Sequence, residues 1–297
     1  MKVSTKAVTV KEALQSATEY LAKQRLRSPR QDADLLVASV LQRDRTFLYT
    51  YPEHQLSTAQ RRLLQQWLIK RGEHFPLQYL RGKQEFYGRE FSVRPGVFIP
   101  RPETELVLEA ALSLLRENPE EQLWAADVGT GSGCIGITLV CEEPRVVVTA
   151  TDVSPIALKV ARQNAKKHRC LERLEFREGQ TLNPVRDRPG YFHLVVSNPP
   201  YVSPEDRNRV DASVDKHEPR EAVYAAESGQ EIYKQLFSEA QKVLRPQGKL
   251  VVELGEGARK GICRLAQKKG WVLEDSRKDL AHIDRCAIFG RLSDQRP

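Results

Sequence analysis

The sequence predicts a mixed α/β protein in which a small helical N-terminal domain precedes a larger domain built on a mostly parallel sheet with an antiparallel closing strand. Three observations support this prediction. The first third has apolar residues at helical spacing, the residues from 123 onward alternate apolar strands with amphipathic helices, and the last two apolar runs are separated by a short connection. Such a sheet is covered by helices on both faces and binds ligands at the carboxyl ends of its strands.

Helix-start signals recur in the first third of the chain. A hydroxyl residue is followed three positions later by an acid or an amide at Thr9-Val-Lys-Glu12, Ser28-Pro-Arg-Gln31 and Ser57-Thr-Ala-Gln60, which is the capping-box pattern. The helical pattern ends at Pro76, and "EFYGREFSV" at 85–93 predicts a hairpin that turns at Gly88. We therefore expect a helical domain over 1–75, a linker with a β-hairpin over 76–98 and the α/β domain over 99–297.

The basic charge of the chain is concentrated in its first third. Residues 1–85 carry 15 Lys and Arg against 8 Asp and Glu, whereas the remaining residues carry 32 and 31. An excess of this kind is typical of a surface that docks to something acidic, either nucleic acid or an acidic protein face, although a basic soluble surface would look the same.

Composition also bears on location and metals. The sequence shows no small-residue cleavage pattern at its start and no run of about 18–20 apolar residues, so we expect neither a signal peptide nor a membrane partner. The five cysteines are scattered without a CxxC pair, which favours free thiols in a cytoplasmic protein and no metal site.

A glycine-rich turn, "DVGTGSGCIG", follows the first strand of the α/β domain. Gly129, Gly131 and Gly133 permit a tight turn and close approach of a ligand to the backbone, and Asp152 ends the next strand, where an acid can accept both hydroxyls of a ribose. This pattern predicts a nucleoside-binding site.

Two features of this turn favour S-adenosylmethionine over a dinucleotide. The glycine spacing is GxGxG rather than GxGxxG, whose third glycine lets a helix approach a pyrophosphate. Asp127 directly precedes the turn, where a carboxylate would attract the cationic amino group of S-adenosylmethionine and would repel a pyrophosphate.

The second unusual segment is Asn198-Pro199-Pro200-Tyr201, which ends the fourth strand of the repeat, beside the first. Two prolines remove two donors and fix φ twice, while their carbonyls remain as acceptors. Asn198 adds a polar amide and Tyr201 a flat apolar face. We expect these residues to hold a planar group with an NH₂ edge, with Asn198 Oδ1 and the Pro199 carbonyl accepting its two hydrogens and aiming its nitrogen at a methyl donor.

With both segments in hand, the sequence resembles the HemK/PrmC family, the release-factor glutamine N5-methyltransferases. The resemblance extends over nearly the whole chain, and its motifs are "PLQYLRGKQEFYGREFSV", "VFIPRPETELV", "DVGTGSGCIGITL", "TDVSPIALKVARQNA", "LVVSNPPYV", "HEPREAV" and "KDLAHIDR". It implies a class I methyltransferase, Rossmann-like fold, with S-adenosylmethionine as methyl donor and S-adenosylhomocysteine as product. The implied substrate is the glutamine of the Gly-Gly-Gln motif in class I peptide chain release factors.

The resemblance also implies a role for each matching residue. It assigns the cofactor to Gly129, Thr130, Gly131, Ser132, Gly133 and Asp152, and both ligands to Asn198. It assigns the acceptor amide to Pro199, Pro200 and Tyr201, and the site entrance to Arg101, Glu103 and Glu105, of which Arg101 would bind the substrate. The helical domain would grip the release factor, and the protein is expected to be a monomer with no stable nucleic-acid partner.

The sequence departs from the family pattern at two places. Gln180 and Thr181 stand where the family has an acid and a large apolar residue beside the adenine, and Gln180 can still accept from the adenine amino group through its amide oxygen. The usual glycine-rich stretch is also varied in "YAAESGQEIY", although Gly229 remains. Neither change removes a residue that the chemistry requires.

Three other functions remain open at this point. A glutamine of a ribosomal protein would present the same amide, and an adenine-N6 methyltransferase would place a flipped base in the same pocket. The sequence shows no sizeable target-recognition insertion for the latter. A non-catalytic module that kept the fold is disfavoured because the glycines, both aspartates and Asn198 are all present.

Overall fold

The structure is a computed structural model that describes residues 8–225 and 229–292. Its strands are β1 Val8–Thr9, β2 Gln55–Leu56, β3 Lys83–Phe86, β4 Arg89–Ser92, β5 Leu123–Val128, β6 Val146–Asp152, β7 Leu174–Glu178, β8 Phe192–Ser197, β9 Leu244–Glu253, β10 Trp271–Lys278 and β11 Asp284–Arg291. Its helices are α1 Val10–Lys23, α2 Pro29–Leu41, α3 Arg45–Thr50, α4 Thr58–Gly72, α5 Leu77–Arg81, α6 Thr104–Glu117, α7 Cys134–Glu142, α8 Pro155–Lys167, α9 Ala212–His217, α10 Arg220–Val223, α11 Glu231–Val243 and α12 Arg259–Lys268. Among the described residues, no helix is both long and apolar enough to cross a membrane.

The first compact unit comprises the described residues up to Gly82 together with Asp211–His217. Helices α1, α2 and α4 bury their apolar faces against one another in a single cluster. This unit includes α5, which the sequence analysis assigned to the linker, whereas the hairpin of β3 and β4 belongs to the second unit. The linker predicted over 76–98 is therefore divided between the two units.

Two of the three predicted capping boxes are confirmed and one is wrong. Thr9 with Glu12 and Ser57 with Gln60 each form both reciprocal bonds. Ser28 adopts φ −133° and ψ 60°, away from the extended ψ of a capping residue, and its side chain makes no cap bond. Pro29 still opens α2, because its fixed φ suits the first helical position.

The second unit contains, in its described residues, a seven-stranded sheet in the order β10-β11-β9-β8-β5-β6-β7. Strands β9, β8, β5, β6 and β7 are parallel, and β11 runs antiparallel to β9. This confirms the predicted mostly parallel sheet with an antiparallel closing strand. The chain leaves β5 toward β6 on one side and returns as β8 on the other, so the strand order reverses at β5.

The sheet separates two apolar cores because successive strand residues face opposite sides. One core joins Ala125, Leu194 and Val251 to helices that include α6 and α7. The other joins Ala126 and Val195 to helices that include α11 and α12. Every residue of β8 is buried, as expected for a central parallel strand. The carboxyl ends of β5 and β8 are thereby held side by side by rigid neighbours.

Candidate active site

The carboxyl ends of β5, β6 and β8 open into one cavity of about 380 Å³, which lies wholly within the second unit. Its wall includes the glycine-rich turn, Asp152, Gln180, Thr181 and the segment Asn198–Pro200. Ser197 joins two of these strand ends, since its hydroxyl donates to the carbonyl of Val128 at 2.9 Å. The structure therefore brings the two segments that the sequence singled out into one site.

The turn after β5 depends on backbone conformations that favour glycine. Gly129, Gly131 and Gly133 have φ of 72°, 56° and 84°. Gly133 is also crowded, because a Cβ atom there would lie 2.7 Å from Ile137 Cδ1 and 3.2 Å from Ala161 Cβ. The absence of side chains at Gly129 and Gly131 lets a ligand approach the backbone of the turn closely, while Gly133 lets α7 pack closely. The N–H groups of Gly129 and Gly131 are themselves bound to Thr151 and Asp152 at the end of β6.

Asp127 lies beneath this turn rather than in the cavity wall. The residue is 0% exposed, and its Oδ2 accepts from Thr130 Oγ1 at 2.6 Å and from the Gly136 N–H at 2.9 Å. Burial raises the pKa of Asp127 to about 6, against the lowering effect of these two bonds. In this placement Asp127 holds the turn, and its contact with a cofactor stays a prediction.

Asp152 does line the cavity. Its Oδ2 accepts from the Gly131 N–H at 2.8 Å and its Oδ1 from the Ser154 N–H at 2.9 Å. Burial raises the pKa of Asp152 and the charge of Glu221, also in the cavity wall, adds to the rise. Each carboxylate oxygen keeps a further lone pair, so the group can still accept two hydroxyl protons from a ligand.

Gln180 and Thr181 follow β7 and both line the cavity. Gln180 is exposed, whereas Thr181 is buried with a φ of 48°. The hydroxyl of Thr181 donates to Glu239 at 2.5 Å, and its carbonyl accepts from Thr151 Oγ1 at 2.9 Å. The amide of Gln180 is thus the polar group that this loop offers to a ligand, and its contact with the adenine stays a prediction.

Asn198 is half-buried, and its amide is held from behind. The Nδ2 atom donates to Thr104 Oγ1 at 3.0 Å, and that hydroxyl donates to Glu253 Oε2 at 2.6 Å. Thr104 begins α6 and Glu253 ends β9, so three distant parts of the chain meet here. Pro199 and Pro200 line the cavity beside Asn198, as the sequence predicts.

Tyr201 lies outside the cavity wall. Its ring packs against Gly255, where a Cβ atom would come within 2.8 Å of Tyr201 Cδ2, and its hydroxyl donates to Glu253 Oε1 at 3.3 Å. Burial raises the pKa of the Tyr201 hydroxyl well above its usual range. The ring thus supports the segment from behind, and its contact with an acceptor amide stays a prediction.

Arg101 forms an ion pair with another residue of the same chain and does not line the cavity. Its guanidinium donates to Glu218, which is 5% exposed, and lies 4.9 Å from the ring centre of Phe98. The second oxygen of Glu218 accepts from the Ile99 N–H at 3.2 Å. Phe98 and Pro100 line the cavity, so the ion pair fixes a segment whose neighbours form the wall. Glu105, one of the two acids of this motif, accepts from the Tyr87 N–H at 2.8 Å, which is a structural role.

Comparison with known proteins identifies the family. Residues 12–82 match the family described as the PrmC N-terminal domain, and residues 90–214 match the methyltransferase small domain. A release factor glutamine methyltransferase from Koribacter versatilis is 42% identical over 84% of this chain and 87% of its own length. One from Coxiella burnetii is 35% identical over 96% and 99%. The chain belongs to the family of release factor glutamine methyltransferases.

A solved structure confirms the fold of this family member. A methyltransferase from Pyrococcus furiosus superimposes with a TM-score of 0.50 at 18% identity, over 79% of this chain and 98% of that one. At this identity the likeness concerns the fold alone. The second unit therefore has the predicted class I methyltransferase fold.

The cavity fits S-adenosylmethionine by the chemistry of its donors and acceptors. Asp152 offers carboxylate oxygens for ribose hydroxyls, and Gln180 offers an amide for an adenine edge. The glycine-rich turn leaves room for close approach of a ligand, and the carboxyl group of Asp127 beneath it suits the cationic amino group of the methionine part of S-adenosylmethionine. One buried oxygen of Asp127, Oδ1, has no hydrogen-bond partner among residues 8–225 and 229–292, which leaves an acceptor beside the turn.

Sequence reasoning missed Thr104, Glu253 and Glu218. Thr104 stands between the two acids of "RPETE" that were singled out, and Glu253 ends an apolar strand in "LVVELG". A charged residue that directly follows three apolar strand residues is unusual and could have marked Glu253. The link from Glu253 to Asn198 has no signal in the sequence, because it depends on contacts across 94 and 149 positions.

Proposed function

We propose that this protein transfers a methyl group from S-adenosylmethionine to the side-chain amide nitrogen of the glutamine in the Gly-Gly-Gln motif of class I peptide chain release factors. It would act as a monomer in the cytoplasm, where peptide release takes place. The relatives that match nearly their whole length to this chain carry the name release factor glutamine methyltransferase.

One observation carries the proposal. The glycine-rich turn after β5 and the Asn-Pro-Pro segment after β8 line the same cavity of about 380 Å³. A methyl donor bound along the turn and an amide bound at Asn198 would then share one enclosed space. This is the arrangement that methyl transfer by direct displacement requires, because the reacting atoms must be held close and in line.

S-adenosylmethionine supplies a methyl group on a positively charged sulfur. The task of this chain is to present the acceptor. Asn198 Oδ1 and the Pro199 carbonyl are two acceptors on a stiff segment, and each would take one hydrogen of the acceptor amide. The nitrogen lone pair of an amide is delocalised, so fixing both N–H groups orients it and favours charge on nitrogen as the new bond forms.

The amide proton needs no strong base before transfer. The nitrogen would become acidic as it gains positive charge, and the proton that it loses would pass to water once the transfer is complete. The apolar lining from Phe98, Val128 and Ile135 would exclude water from the reacting atoms. We therefore assign orientation and electrostatic stabilisation to the site, with no histidine in the reaction.

The basic first unit would bind the release factor. Its helices carry most of the excess positive charge of the chain. Some of this charge is neutralised internally, since Arg71 pairs with Asp32 at 2.7 Å and Arg45 with Asp34 at 2.8 Å. Tyr49 and Tyr51, both 55% exposed, add apolar surface of the kind that protein interfaces use.

The test is transfer of a tritiated methyl group from S-adenosylmethionine to a purified class I release factor. We expect stoichiometric label on the wild-type release factor, and background label on a Gln→Ala variant of its Gly-Gly-Gln motif. A Gln→Asn variant is the sharper control, because it keeps the amide but withdraws it by one methylene.

Label on the Gln→Ala release factor, or none on the wild type while the enzyme binds S-adenosylmethionine, would overturn the assigned substrate. In that case the same assay with ribosomal proteins and with unmodified DNA distinguishes another glutamine acceptor from an adenine acceptor.

A further inference from the structure

The Asn198 side chain ends a line of three hydrogen-bonding groups that leads away from the cavity. Asn198 Nδ2 lies 3.0 Å from Thr104 Oγ1, which lies 2.6 Å from Glu253 Oε2. Thr104 is 2% exposed and Glu253 is 1% exposed, so water does not compete for these groups. The other oxygen of Glu253 accepts from the Tyr201 hydroxyl at 3.3 Å.

The number of protons in this line determines which way the Asn198 amide faces. An ionised carboxylate only accepts, so the single proton of the Thr104 hydroxyl must point at Glu253. Thr104 then offers Asn198 only lone pairs, and only the NH₂ end of the amide can face it. The oxygen of Asn198 is thereby turned away from Thr104.

We propose that Glu253 is a positioning residue that acts through Thr104 to hold the Asn198 amide with Oδ1 available to the acceptor glutamine. This inference rests on the proposed function, which assigns Asn198 Oδ1 as an acceptor for the substrate amide. Glu253 touches neither substrate nor cofactor, since it does not line the cavity.

Protonation of Glu253 removes the constraint. A neutral carboxyl can donate to Thr104, whose own proton is then free to bond Asn198 Oδ1, so both amide orientations are accommodated. Burial raises the pKa of Glu253 to about 7, and the bonds from Thr104 and Tyr201 oppose the rise. The amide is therefore held in one orientation above about pH 7 and is released below it.

Other groups around Glu253 modulate this titration. Glu103, at the start of α6, raises the pKa of Glu253, and Arg285 on β11 lowers it. Tyr233 on α11 donates to the backbone carbonyl of Glu253 at 2.7 Å and not to its carboxylate. Two described thiols, those of Cys134 and Cys286, also lie near Glu253. Their pKa is raised mainly by burial, and the charge of Glu253 adds to the rise.

The kinetic test uses a matched pair at position 104. Thr104→Val keeps the shape but removes the hydroxyl, and Thr104→Ser keeps the hydroxyl. We expect Thr104→Val to lower the single-turnover rate of methyl transfer at saturating ligands by about 10- to 100-fold, the effect of a lost bond in a charge-assisted line. Thr104→Ser should remain within about 3-fold of the wild type, and the Kd for S-adenosylmethionine should be unchanged in both.

The pH profile separates positioning from a merely structural role. The wild-type rate should fall as the pH drops through about 7, and Glu253→Gln, which cannot ionise, should lose this limb of the profile. Equal rates in Thr104→Val and wild type, or an acid limb that persists in Glu253→Gln, would overturn the proposal.

A second measurement needs no catalytic activity. In protein labelled with ¹⁵N-asparagine, the Asn198 side-chain NH₂ signal is identified by its loss in Asn198→Ala. We expect this signal to shift with a midpoint near pH 7 in the wild type and to lose that shift in Glu253→Gln and Thr104→Val. A signal that ignores pH in the wild type would refute the coupling, whichever acceptor the enzyme methylates.

Discussion

The two strand ends that form the cavity are built in different ways. After β5 the cavity wall is formed by a turn whose shape depends on glycine conformations, with φ of 72°, 56° and 84° at Gly129, Gly131 and Gly133. After β8 the surface is made of side chains and fixed carbonyls, and its key amide, Asn198, is held by Thr104 and Glu253 from elsewhere in the chain.

The two regions therefore differ in which residues determine their conformation. The turn is specified mainly within about ten residues, by glycine spacing and Asp127, with further bonds only to Thr151 and Asp152 at the end of the next strand. The Asn-Pro-Pro segment presents the right atoms locally, but the direction of the amide is set by residues 94 positions before it and 55 after it. Substitutions in the two regions should therefore differ in what they damage.

The largest expected effect belongs to the side-chain region. Asn198→Ala removes one proposed acceptor for the substrate amide. It should lower the methyl-transfer rate by about 10²- to 10³-fold, which is the usual effect on an enzyme of losing one group that stabilises the transition state. Single-turnover measurement with tritiated S-adenosylmethionine checks this. A rate within a few-fold of the wild type would remove Asn198 from the reaction.

The next effect concerns stability and pH. Burial raises the pKa of Glu253 from 4.5 to about 7, so the folded state favours the protonated acid, and this contribution is lost as the pH rises through that window. The loss amounts to about 3 kcal/mol. Relative to wild type, Glu253→Gln should thus gain about this much free energy of unfolding between pH 4 and pH 8, measured by urea denaturation.

A matched control for that measurement is Glu109→Gln, which removes an exposed carboxylate from α6. It should follow the wild-type profile closely. If the free energy of unfolding of Glu253→Gln varied with pH as that of the wild type does, the pKa of Glu253 would not be raised in the folded state.

A somewhat smaller loss is expected in the backbone region. Gly133→Ala places a Cβ atom 2.7 Å from Ile137 Cδ1 at a φ of 84°, and left-handed strain alone costs about 1–2 kcal/mol. We expect the free energy of unfolding to fall by about 2 kcal/mol and cofactor affinity to fall with it. Unchanged stability in denaturant titration would mean that the turn relaxes at no cost.

The smallest expected effect is that of Tyr201→Phe. The variant loses the 3.3 Å bond to Glu253 but keeps the ring against Gly255. Its methyl-transfer rate should fall by about 2- to 5-fold, the value of one modest hydrogen bond. A loss as large as that of Asn198→Ala would instead indicate that the hydroxyl takes part directly in the reaction.

The sequence predicted the fold, and it predicted that the turn and the Asn-Pro-Pro segment lie in one site, because both predictions depend on local patterns. Alternating strands and helices predict the parallel sheet, and glycine spacing with Asp152 predicts a ligand site at its edge. The sequence did not predict that Asp127 would be buried under the turn, and its contact with the ligand stays a prediction. A residue that directly precedes a turn can face either side of it, and spacing alone does not decide which.

Long-range pairings account for what the sequence left out. Arg101 was assigned to the substrate, and that contact stays a prediction. Its pairing with the buried carboxylate of Glu218, 117 positions away, was not predicted. The link from Thr104 to Glu253 likewise forms only when α6 packs beside the end of β9. Such contacts follow from the fold and leave no periodic pattern in the chain.

The most direct test of the central claim compares Gly131→Ala with Asn198→Ala in a single experiment that yields both the Kd for S-adenosylmethionine and the rate of methyl transfer at saturating cofactor. Position 131 has room for a Cβ atom but a φ of 56°, so Gly131→Ala should raise the Kd about 10-fold through left-handed strain and leave the saturated rate near that of the wild type. Asn198→Ala should do the reverse, with a Kd within about 5-fold and a rate lower by two orders of magnitude or more. If both variants changed the same quantity, the division of the cavity into a cofactor-binding turn and an acceptor-binding segment would be wrong.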